Sequence, residues 1–325
     1  MIAFTRRQAL VAAALPFLGR LGQAQAAADH SSGQVRIVVP YPAGGPTDTI
    51  ARLLSDGLRK GLGATCLVVN QPGASGMIGT RMVAAAEPDG HTLLLGNNQT
   101  HGSNMLLVKE PGYDAFADFK PVLGIAAMQH LLVTRKDHPA GSLAELIARG
   151  RKAPLAFGST GNGSASHLAL ELFRATTQIQ AVHVPYRGSA QVLPDLIGGR
   201  LDGWFSTLPS VIGQLRSGTL KAFAVASATR APQMPEVPTL AEQGVANCEA
   251  DAWSALFAPS KVPAAVLDRL SEATQATFGS ASARAALTEA GFLPKLVPSG
   301  PMASFMKEDL ERWRAVVRTA NLSAE

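Results

Sequence analysis

Cysteine is nearly absent from this chain: Cys66 and Cys248 are the only two in 325 residues, 182 positions apart. So sparse a set excludes a disulfide scaffold. Spacing alone leaves one disulfide or two free thiols open, with free thiols the simpler expectation. The seven histidines contain no His-x-x-x-His pair, and no Cys/His spacing has the form of a metal site. No metal or cofactor is therefore expected. No lysine-arginine cluster interleaved with aromatics is present, which removes nucleic acid as a partner. No apolar run reaches the roughly 20 residues that span a bilayer. Charged residues make up only 16% against 46% hydrophobic, the balance of a well-packed globular protein.

What is present begins at the N-terminus, "MIAFTRRQALVAAALPFLGRLGQAQAAADH". Arg6 and Arg7 precede a short apolar run, and Ala24, Ala26 and Ala28 follow it. This is the order of a cleaved export signal, spanning 1–26, and the paired arginines fit the twin-arginine route. Arg6, Arg7 and Arg20 leave with it, so the formal charge of +5 falls to about +2 in the mature chain. The expected location is the periplasm. About 300 remaining residues exceed one ordinary core, so two domains are expected.

Short β-branched runs alternate with helical patterns along most of the chain. Strands are expected at 35–39, 66–69, 92–95, 131–133, 155–157, 182–184, 201–205 and 221–225. Between the first two, Ile50, Leu53, Leu54 and Leu58 share one helical face; near the end, Met306, Leu310, Trp313 and Val317 do the same. Alternation of this kind predicts an α/β protein with parallel sheets. Trp204 and Trp253 lie in apolar strands and are read as core or hinge packing, with a ligand wall as the alternative.

Four strand ends run into polar, glycine-rich loops: "VVPYPAGGPTD", "LLLGNNQTHGSN", "FGSTGNGSASH" and "HVPYRGS". In open α/β sheets the ligand crevice lies outside the carboxyl ends of strands. In the first loop Pro40 and Pro42 end strand pairing, Gly44 and Gly45 free the backbone, and Pro46 suits the first helical position. The first-turn amides, with the helix dipole behind them, attract an anion. A plain turn is the alternative. Asp48 either caps those amides or meets a ligand hydroxyl or amine. The third loop adds Ser159, Thr160, Ser164 and Ser166, but it lacks the Gly-Lys-Ser/Thr of a phosphate loop and the G-x-G-x-x-G of a dinucleotide site. Ser164 and His167 admit an exported serine hydrolase as a rival, against the absence of a Gly-x-Ser-x-Gly elbow. Tyr41 and Tyr186 could pack their rings and offer their hydroxyls to a ligand or a neighbouring loop.

Five ordered blocks, "VRIVVPYPAGGPTDTIARLL", "NQPGASGMIGTRMVAAAEPDGHTLLL", "FGSTGNGSASHLALELF", "HVPYRGSAQVLPDLIGGRLDGWF" and "LKAFAVASATRAPQMPEVPTLAEQG", resemble the Bug-type receptors of the tripartite tricarboxylate transporter family, from about Val35 to the C-terminus. The resemblance implies a two-lobed Venus-flytrap with crossing strands, lobe 1 holding 29–127 plus 252–325 and lobe 2 holding 128–251. It implies a monomeric, non-enzymatic receptor that passes a small organic acid to membrane transporter subunits, or alternatively an orphan receptor reporting to a sensor kinase. It also implies that one carboxylate is gripped by the loops Tyr41–Thr47 and Gly158–Ser164. The expected ligand-binding set is Tyr41, Ala43, Gly44, Gly45, Thr47, Asp48, Asn98, Thr100, Ser159, Thr160, Gly161, Gly163, Ser164, Tyr186, Arg187 and Ser206. Arg187 is expected to grip a second carboxylate or to lie on the rim. Ser206 stands where many relatives carry an acidic residue, which speaks against an amino-acid ligand.

Overall fold

A computed structural model describes residues 33–319 and 322; the expected signal at 1–26 lies outside the described residues. Two mixed sheets carry the fold. The first has the strand order β11-β4-β10-β3-β1-β2, built from β1 (Gln34–Val39), β2 (Thr65–Asn70), β3 (Thr92–Asn97), β4 (Phe119–Met128), β10 (Ala252–Pro259) and β11 (Leu293–Pro298). The second has the order β7-β6-β8-β5-β9, from β5 (His130–Arg135), β6 (Leu155–Ser159), β7 (Ala181–Pro185), β8 (Gly203–Thr207) and β9 (Leu220–Val225).

Each expected strand is present, but the purely parallel arrangement is not. β10 runs antiparallel to β3 and β4, β11 is antiparallel to β4, and β5 is antiparallel to β8 and β9. Parallel neighbours need a helical crossover, and that holds for β1 with β2 and β3 and for β6 with β7 and β8. The antiparallel strands β4, β5 and β10 adjoin the two crossings between sheets. β4 ends at Met128 and β5 begins at His130; the return enters β10 at Ala252.

Both faces of each sheet are covered. In β1, Ile37 points towards α1 (Pro46–Leu62) and α8 (Ala264–Gly279), where it packs with Ile50, Leu54, Leu58 and Leu270. Val38 points the other way, to Met77, Phe257, Met302 and Met306. The second sheet divides likewise: Leu132, Phe157 and Phe205 join Leu168 and Phe173, while Leu131, Val133 and Trp204 join Val192, Leu196 and Val211. The last helix, α10 (Ser299–Thr319), serves both sheets. Met302 and Met306 pack in the first, and Trp313 is fully buried in the core of the second. Asp309 on the same helix is buried because it accepts from Trp253 Nε1 at 2.8 Å and from Arg312 at 2.8 Å. Trp204 and Trp253 are both core residues. Cys66 in β2 and Cys248, which packs in the core beside the second sheet, are free thiols.

Candidate functional site

A cleft of about 90 Å3 lies where the carboxyl ends of β1, β3, β6, β7 and β8 face one another across the two crossings. It is small beside the roughly 300–1,000 Å3 of drug-sized sites, which suits a small ligand. Four helix N-termini open onto it. They belong to α1, to α5 (Ala165–Thr177), to α6 (Ser189–Ile197) and to α7 (Leu208–Arg216), whose first residues or caps Gly45–Asp48, Ser164–Ser166, Gly188–Gln191 and Thr207 line the walls. First-turn amides have no partner within their own helix, so these starts present donors and positive dipole ends to one small volume. Among the described residues no lysine or arginine lines the cleft, and the only carboxylate there is Asp48.

That carboxylate is already committed. Asp48 accepts from the Gly44 amide at 3.0 Å, from Asn70 Nδ2 at 3.0 Å, and from Arg52 at 2.9 and 3.2 Å. Burial raises its pKa, but the hydrogen bonds from Arg52, Gly44 and Asn70 outweigh that and hold the carboxyl below its usual range. Asp48 thus caps no first-turn amide of α1: it accepts from the Gly44 amide ahead of the helix, from Arg52 and from Asn70, while the residue lines the cleft. Gly44 supplies the reversal with φ of 86°, a left-handed value that favours glycine. Gly45, extended at φ −90°, caps α1 and faces Ser189 across the cleft. Tyr41 ties the loop to the end of β3: its hydroxyl lies 3.0 Å from both Asn97 Oδ1 and Gln99 Oε1.

The β6–α5 loop is held by its own hydroxyls. Ser164 Oγ caps α5 by accepting from the His167 amide at 3.3 Å, and Thr160 donates its amide to Ser166 Oγ at 3.0 Å. The His167 ring does not face Ser164. Its Nδ1 accepts from the Gly163 amide at 3.1 Å, its plane stacks on His183 at 3.9 Å, and burial, then Arg174, pushes its pKa down to about 4. The pair is a helix cap and a packed ring, with no serine–histidine dyad.

Of the expected set, Tyr41, Ala43, Gly45, Thr47, Asp48, Asn98, Thr160 and Ser164 line the cleft together. The other eight do not line it. Gly44, Gly161 and Gly163 shape loops at positive φ behind the wall. Thr100 closes a π-helical turn, Gln99–Ser103, bonding the Asn97 amide and the His101 ring. Ser159 Oγ bonds His183, Ser206 Oγ is buried against the Thr207 carbonyl, and the Tyr186 hydroxyl donates to Asp195 at 2.6 Å. Arg187 is exposed beside the cleft mouth.

Sequence reasoning missed residues on α6, β8 and the crossing strands β4, β5 and β10. Ser189 and Gln191 follow Arg187 at the start of α6; Thr207 is one position beyond Ser206; and Met128, His130 and Ala252 form the floor at the two crossings. Thr207 could have been found by carrying β8 to its last residue. The floor had no sequence signal, because it exists only where two separated segments meet.

The comparisons with known proteins agree on kinship. A family profile described as "Tripartite tricarboxylate transporter family receptor" matches residues 50–322. The "UPF0065 protein in tcbD-tcbE intergenic region" of Pseudomonas sp. (strain P51) is 32% identical over 324 residues, covering 98% of this chain and 96% of its own. Protein BugT of Bordetella pertussis is 32% identical over 287 residues, 87% of this chain and 88% of its own. Among solved structures, R. palustris Rpa4515 with adipate superposes with a TM-score of 0.87 at 35% identity, over 89% of this chain and 98% of that one. MatC (Rpa3494) from Rhodopseudomonas palustris with bound malate gives 0.81 at 32% identity, over 87% and 98%.

Proposed function

The chain belongs to the tripartite tricarboxylate transporter receptor family, and from that membership we propose that it captures a small organic carboxylate in the periplasm and delivers it to a membrane transporter. One observation carries the reading: four helix N-termini, drawn from both sheets, converge on a cleft to which the described residues bring no lysine or arginine. Such a site offers hydrogen-bond donors and dipole ends to an anion. The similar structures with adipate and malate support the carboxylate class. The protein acts as a monomeric binder without chemistry of its own, residues 29–127 plus 252–325 closing on 128–251 around the acid. The mature chain begins near Ala27 after export.

Calorimetry and thermal melting with a panel of mono-, di- and tricarboxylates test this. At least one acid should raise the melting temperature and bind stoichiometrically. Binding confined to amines or neutral sugars would overturn the reading. Intact mass of protein recovered from the periplasm should correspond to a start near Ala27; a retained Met1 would refute the cleaved signal.

A further inference from the structure

The cleft floor contains one polar side chain whose bonding is incomplete. His130 opens β5 directly after the crossing, pairs in register with Thr207, and is only 2% exposed while lining the cleft. Its ring has a hydrogen bond to the backbone of Ala250, and Nδ1 has no partner. Burial pushes the ring's pKa down to about 4, so it is neutral in the periplasm. A neutral imidazole has one donor and one acceptor nitrogen. The bond to Ala250 favours the ionised ring, as donation to a carbonyl does, so the nitrogen left over is a lone-pair acceptor.

No neighbour supplies the missing donor. Met128 and Ala252, its companions on the floor, are apolar. The Gln129 amide is turned away to the Thr229 carbonyl at 2.9 Å, and the Thr207 hydroxyl is engaged with Ser210 at 2.9 Å. A buried acceptor without a partner is costly, and the group that fills it fixes what binds.

Given the receptor reading above, on which this rests, we propose that His130 selects a hydroxylated carboxylic acid: the carboxylate lies against the helix N-termini, and the ligand's O–H donates to the unpartnered ring nitrogen. A second ionised carboxylate at that end would meet a lone pair with no cation beside it, since Arg187 is exposed and outside the lining. An ammonium group would lack its counter-charge, because the Asp48 carboxylate is held by four donors from Gly44, Arg52 and Asn70. A hydroxyl satisfies the acceptor without either cost.

The test uses the mature protein and matched pairs of acids differing by one hydroxyl: lactate and propionate, 3-hydroxybutyrate and butyrate, malate and succinate. Calorimetry on the wild type should show at least one pair in which the hydroxylated member binds tenfold tighter or more, the discrimination expected when a buried polar group is left unpaired by the analogue. His130→Phe, which keeps a planar ring, should bring that ratio close to one by weakening the hydroxy acid alone. His130→Gln, with a carbonyl acceptor, should recover part of it. Acids bound by the wild type without a hydroxyl preference in any pair would overturn the proposal and leave the receptor reading standing. A preference that survives His130→Phe would overturn it too. If no carboxylate of any kind binds, the receptor reading falls and this proposal with it.

Discussion

Gly45→Val separates a ligand loop from a plain turn. The backbone at Gly45 is extended, φ −90° and ψ 173°, which valine adopts without strain. A Cβ there would sit 3.8 Å from Ser189 Oγ, at ordinary contact distance. The two methyls reach about 1.5 Å further, into the space between the α1 and α6 starts. The folded state should lose little, no more than about 1 kcal/mol from a poorer helix cap. Binding should lose nearly everything. A ligand at a hundred times its dissociation constant stabilises by about 2.7 kcal/mol, or roughly 5–10 °C in a melt at about 2–4 °C per kcal/mol. That shift should vanish in Gly45→Val. Gly44→Ala is the complementary control. Its φ of 86° penalises any side chain although no atom lies within 4 Å of the added Cβ. It should lower the melting temperature by the equivalent of about 1–2 kcal/mol and keep the ligand-induced shift. An unchanged affinity in Gly45→Val would refute the reasoning and reduce the loop to a turn.

Tyr41→Phe removes the hydroxyl that joins the β1 exit to Asn97 and Gln99, and should cost about 1–2 kcal/mol in urea unfolding. Asp48 has a folded pKa below its unfolded value, so its stabilisation is present above the ordinary aspartate value of about 3.9 and is lost as pH falls through the folded pKa. Asp48→Asn should accordingly lower the melting temperature by a few degrees at pH 7, with the difference from wild type shrinking as the pH is taken down towards 3. Arg187→Ala should change the affinity for any acid less than about twofold in calorimetry, since the side chain is exposed beside the cleft; a loss confined to dicarboxylates would place its guanidinium on the ligand.

The β1–α1 loop was legible because its instructions are local: prolines that end pairing, a glycine at positive φ, a proline at the helix start. The crossing strands were not. β4 reads "FKPVLGIAAM", with Pro121 and Gly124 interrupting the β pattern, and β10 reads "AWSALFAP", rich in alanine. Their strand character comes from burial between neighbours. Hydroxyl assignments failed where a local partner consumed the group. Thr100 faces the turn it closes, and Tyr186 meets Asp195 nine positions later. The residue type was suited to a ligand at each, and only the fold decides which partner is nearer. His130 shows the converse. Its ring is placed by the crossing and bonded to Ala250, a segment 120 positions away in sequence.

A site without a cation makes binding and closure a single event in the proposed receptor. One helix N-terminus contributes only about 0.3–1 kcal/mol towards an anion in water, so the α1 start alone would hold a carboxylate weakly. The α5, α6 and α7 starts belong to the other sheet. They add their share only when the two sheets face each other as they do here. Protein groups help to hold that arrangement. Gln99 Nε2 and Ser75 Oγ donate to the Asn162 carbonyl at 2.9 and 3.1 Å, and Ser103 Oγ donates to the Gly163 carbonyl at 2.5 Å. All three grip the loop that carries Thr160 and Ser164 to the cleft. At about 1 kcal/mol each, they bias the closed form by an amount comparable to what the dipoles offer the ligand. Apparent affinity scales with the closed fraction, so these contacts between protein groups tune binding as much as the contacts to the ligand do.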